Sequence, residues 1–156
     1  MIFLAALLLM APPAAEKEPA AARRILSSVT TAAREVKAPA EAAWVWGRVA
    51  EAARVAQDPE RLEEALKAGM AACLTLYKED SDAKSPNLAP REFWPSSQHF
   101  RTLVHVAGEA FGPKAEAYLA QIPDTDLQLL ARIELARALL GKPRETGAIV
   151  VSRKSK

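Results

Sequence analysis

Apolar residues recur every three or four positions along most of this chain, and the runs stop at prolines, glycines and aspartates. At about 100° per residue, that spacing describes amphipathic helices. The clearest pair is Ala40–Gln57 and Pro59–Tyr77. Ala42, Val45, Trp46, Val49, Ala52, Ala53 and Ala56 form one stripe. Leu62, Ala65, Leu66, Gly69, Met70, Cys73, Leu76 and Tyr77 form the other. Asp58-Pro59 separates them: the carboxylate can accept from the free N–H groups of the second helix, and Pro59 stands where a helix has no N–H to lose. So short a connection predicts antiparallel neighbours, stripe to stripe.

The flanking segments extend the pattern. Glu18–Lys37 places Ala22, Ile25, Leu26, Val29, Ala33 and Val36 on one face, and it ends before Pro39, whose ring disfavours helical backbone at Ala38. Ser96 or Ser97 is the expected cap of a helix running to Phe111, with Phe100, Leu103, Val104, Ala107, Ala110 and Phe111 on its apolar face. Gly112 can supply a left-handed exit, and Pro113 opens a short helix to Ile122 that carries Tyr118, Leu119 and Ile122. Asp124 or Thr125 then caps Asp126–Leu140. That helix bears two stripes, Leu129/Ile133/Ala136/Leu140 and Leu127/Ala131/Leu135/Ala138, which predicts a place at the centre of the packing. The expected fold is all-α, with about six helices in antiparallel hairpins, either a short α-solenoid or an irregular helical bundle. A single helical domain spans residues 16–143.

Glu79–Ser97 interrupts the helices. Pro86, Pro90 and Pro95 forbid continuous helix there, and a connection of this length either carries function or lies across the surface. Phe93-Trp94 is expected to plug the loop onto the helical body. Trp44 and Val55 fall on the otherwise polar face shared by Arg48 and Glu51, so that helix is expected to be contacted from two sides. Trp44, Phe93 and Trp94 are the candidate contacts for a partner.

Composition narrows the class. The 156 residues suffice for one domain with a real core. A formal charge of +2, from 21 basic and 19 acidic residues, gives no pull toward nucleic acid or a membrane surface. Cys73, the single cysteine, forms no intramolecular disulfide and shares the spacing of its apolar neighbours. Met1–Ala15 is too short to span a bilayer but suits the core of a signal peptide, which predicts an exported protein, periplasmic or secreted. Residues 144–156 read as a basic, flexible tail with a β-prone run, Ala148-Ile149-Val150-Val151.

Recognisable chemistry is sparse. His99 and His105 stand six residues apart on one helix, about 240° around it, and cannot hold a metal together. Neither a metal nor a cofactor is expected. The nearest approach to a catalytic pair is His105 with Glu109, one turn apart on a helix face expected to be solvated, where the pair is weak. An enzyme reading would place a pocket between the 79–97 loop and the His105 helix.

A faint internal repeat points to a different class of function. Ala56-Gln57-Asp58-Pro59 aligns with Ala120-Gln121-Ile122-Pro123-Asp124. Leu62, Leu66, Lys67, Met70, Cys73 and Leu74 then meet Leu127, Ala131, Arg132, Leu135, Ala138 and Leu139. The unit of helix, turn and longer alanine-and-leucine helix resembles those of tetratricopeptide and HEAT-type repeat proteins over roughly residues 19–140. It lacks their regular period and, for the former, their Trp/Leu/Gly/Tyr set. The resemblance implies a protein-binding role, with a protein as partner, and carries no functional residue over by position.

Overall fold

Helical backbone takes up most of residues 19–82 and 88–144, the part of the chain this computed structural model describes, and no strand occurs among them. The helices are α1 (Pro19–Ala33), α2 (Pro39–Val55), α3 (Pro59–Asp80), α4 (Pro95–Phe111), the single turn α5 (Glu116–Leu119) and α6 (Thr125–Leu139). The chain is all-α, with five substantial helices where six were expected. The expected helix Pro113–Ile122 is instead a 3-10 turn, Gly112–Ala115, followed by the four residues of α5. Gly112 takes a left-handed φ of +60°, and Pro113 and Pro123 bracket a segment too short to propagate a helix. Three expectations lie outside the described residues: the leader Met1–Ala15, the Ala148–Val151 run and the basic end of the tail.

Proline and aspartate set the helix starts. α1, α2, α3 and α4 each open on a proline, where the missing N–H costs nothing. Asp58 caps α3 by accepting from the Arg61 N–H at 3.1 Å, and it also pairs with the Arg61 guanidinium. Burial would raise the Asp58 carboxyl, but those two bonds and the charges of Arg61 and Arg23 hold it below its usual value. Asp124 caps α6, accepting from the N–H groups of Asp126 at 2.9 Å and Leu127 at 3.1 Å. The two turns aligned in the sequence therefore end in the same device. At α4 the expectation is corrected. The helix begins at Pro95, and Ser96 and Ser97 are buried in its first turn rather than capping it. The Ser96 N–H is met at 3.0 Å by Asp80, from the last residue of α3, which places a carboxylate on the positive end of α4.

The central helix is α4, not the expected Asp126–Leu140 segment. It contacts α2, α3 and α6, whereas α1 packs chiefly on α2. The three-residue connection Ala56–Asp58 returns α3 along α2, and Gly69 lets the two close on α4. A Cβ there would stand 2.9 Å from Leu103 Cδ2 and 3.3 Å from Trp46 Cβ. On the other side of α4, a Cβ on Gly108 would stand 2.7 Å from Leu135 Cδ1 and 2.9 Å from Ala138 Cβ. α6 thus buries Leu127, Ala131, Leu135 and Ala138 together with Glu134, and its second stripe faces outward. α1 is likewise turned from its expected face: Leu26, Thr30 and Ala33 are buried, while Ile25 and Val29 are exposed. Cys73 is fully buried, and burial pushes its thiol far above the ordinary range.

Candidate functional site

His105 and Glu109 do fall together, with His105 buried and Glu109 at the exposed edge beside it. α6 covers the Arg101/Val104/His105/Gly108 face of α4 and brings Glu134 against it. Glu134 is wholly buried, and its Oε1 accepts from Arg101 Nη2 at 2.6 Å. His105 Nδ1 lies 3.2 Å from the Glu134 carbonyl and 3.5 Å from its Oε2. A carbonyl only accepts, so Nδ1 carries the proton and Nε2 is left facing Glu109 Oε1 at 3.7 Å. Glu109 turns its other oxygen to Arg54 of α2 at 3.0 Å, and Arg137 stands 3.8 Å from Glu134. The expected solvated pair is therefore part of a network, buried at His105 and Glu134 and reaching the surface at Glu109 and Arg54, that ties α2, α4 and α6 together. The His105 ring points into α6.

Sequence reasoning passed over Glu134, Arg101 and Arg54. One signal was available: at about 100° per residue, Glu134 lies beside Leu127 at the edge of the Leu127/Ala131/Leu135/Ala138 stripe. A carboxylate that borders an apolar face must be paired when the packing buries it with that face. Among the described residues, no three His, Cys, Asp or Glu side chains are grouped to hold a metal ion.

Phe93 and Trp94 part company. The indole of Trp94 is buried beside Tyr77, ring centroids 6.1 Å apart, with Arg91 over its face at 5.6 Å. Its Nε1 donates to the Ala89 carbonyl at 2.8 Å. Arg91 in turn pairs with the α6 cap Asp124, which joins the loop to the start of α6 as well as to the start of α4. Trp94 is thus the plug, and Phe93 is half exposed beside it.

Trp44 sits elsewhere, on the rim of a groove of about 100 Å³ between α2 and α4. Arg48 lies 5.8 Å from its ring centre. Thr102 and His99 of α4 form the opposite wall, and Arg144 Nη1 donates to Thr102 Oγ1 at 2.8 Å. Burial depresses the His99 pKa below its ordinary 6.5, and Arg144 lowers it further against a smaller opposite pull from Asp80. A depressed histidine stabilises the fold above the unfolded pKa and loses that contribution as pH falls. The melting temperature should therefore drop as pH falls below about 6.5, and His99→Asn should flatten that slope relative to wild type. Parallel pH profiles for the two proteins would contradict the assignment.

Comparisons with protein-family models, with curated proteins and with solved structures find no match. Among the described residues, no helix is long and apolar enough to cross a membrane.

Proposed function

We propose that this chain is an exported, non-catalytic module, built like a helical-repeat protein, that binds a protein partner. The observation that carries the reading is the outward stripe of α6. Leu129, Ile133 and Leu140 are 59%, 49% and 73% exposed and fall on one side of the helix. Leu139 adds to its edge, and Asp126 and Arg132 border it. A contiguous apolar strip bounded by charge is the form that protein-binding surfaces take. The candidate acid–base pair, meanwhile, is engaged in packing three helices together.

Substituting Leu129→Glu and Ile133→Glu together tests the reading. Both side chains are exposed, so the denaturation midpoint should stay within about 0.5 kcal/mol of wild type. Against cell-envelope extract, the double variant should lose the proteins that the wild type retains, as quantified by mass spectrometry. Identical retained proteins for both would overturn the proposal.

A further inference from the structure

The groove beside Trp44 carries an assignment of its own. Its lining combines an exposed indole with two guanidinium groups, Arg48 and Arg144, and the polar side chains of Gln98, His99 and Thr102. Gly47 contributes no side chain. No carboxylate lines it among the described residues. The nearest acid to Arg48 is Glu51, paired with it at 2.7 Å across exposed surface, whereas Arg144 is held by a hydroxyl. Trp and Arg are the residue types that concentrate binding energy at protein interfaces. The charge excess is local, since the whole chain is near neutral.

We infer that this groove receives an acidic segment of the protein partner. One carboxylate docks at Arg144, and a neighbouring apolar side chain lies on the face of Trp44. The size argues for a side chain: about 100 Å³ holds one carboxylate and its stem, not a drug-sized ligand. The charge argues against a nucleic acid, whose backbone needs several cations in a row, where this groove offers Arg144 and an Arg48 already paired with Glu51. The hydrogen-bonding suits a carboxylate, because Arg144 is already steered into place by Thr102 and retains further N–H donors.

This inference deepens the interaction reading by naming the partner's chemistry, and it stands on a different surface from the α6 strip. Trp44 provides the readout. It is 55% exposed, whereas Trp46 and Trp94 are buried, so ligand-dependent fluorescence changes arise at Trp44. The full chain is titrated with a short synthetic peptide of alternating Glu and Leu, and with the matching Lys and Leu peptide as control. The acidic peptide should shift and saturate the emission, the basic one should not, and added salt should weaken the effect. Arg144→Gln should weaken binding about tenfold while leaving the thermal melt unchanged, and Trp44→Ala should do likewise by calorimetry. Equal responses to the two peptides, or an unchanged affinity in Arg144→Gln, would overturn the assignment. So would acidic-peptide binding that appears only after truncation beyond Arg144, since the groove would then belong to the chain's own tail. A failed titration with an intact effect of the α6 double variant removes the groove alone.

Discussion

Glu134→Gln should lower the unfolding free energy by about 3 kcal/mol, read as a shifted midpoint in denaturant melts. The carboxylate is wholly buried and answers Arg101, His105 and, at longer range, Arg137. Removing one partner of a buried pair costs about 3–5 kcal/mol, because the remaining charge stays desolvated. Arg101 keeps 15% of its side-chain exposure, so part of its charge can reach water and the lower end of that range applies. Replacing both partners with apolar residues of similar volume, Arg101→Met with Glu134→Met, should recover most of the loss. A Glu134→Gln midpoint coincident with wild type would show that the network does not hold α6 to α4.

Trp94→Ala should cost about 3–5 kcal/mol, the range for deleting a large buried aromatic. Most of that comes from the cavity and the lost contact with Tyr77. The hydrogen bond to Ala89 adds little, because Ala89 is exposed and its carbonyl can turn to water. Phe93→Ala, one residue away, should cost about 1 kcal/mol or less, since that ring is half exposed. The contrast separates a specific plug from a generally fragile loop. Equal shifts for the two substitutions, or none for Trp94→Ala, would remove Trp94 as the anchor of the segment between α3 and α4.

Much of the local architecture was legible before any coordinates. Prolines at the starts of α2 and α3 and the aspartate caps at Asp58 and Asp124 act within one helical turn, so their neighbours in sequence are also their partners in space. The Leu62–Leu76 stripe was legible for a related reason. It is the main run of large apolar residues on α3, and every helix orientation that buries a core buries that run. The segment Pro113–Ile122 was overread, because periodicity reports which side chains are apolar and not whether a turn between two prolines can propagate.

Burial direction was a different matter. α6 offers two apolar stripes, and α1 offers adjacent rows in which Ile25 and Val29 looked no less buriable than Leu26. Nothing within either helix chooses between them. On α6 the choice falls to Gly108, whose missing Cβ lets Leu135 and Ala138 approach α4, and to Arg101 and His105, which supply the partners Glu134 needs. On α1 it falls to a row containing Thr30, whose hydroxyl is satisfied within its own helix by the Leu26 carbonyl at 2.8 Å and so enters the interior without an outside partner. The sequence by itself determined where α1, α2, α3 and α6 start to within a residue, how α3 and α6 are capped and that the fold is all-α, because those choices depend on residues a turn apart. The tertiary structure alone decided which faces are buried, that α4 is central, that His105 is interior, and that Trp44 borders a groove. Those outcomes depend on groups such as Arg101 and Glu134, 33 positions apart in the chain, which meet only once the helices have packed.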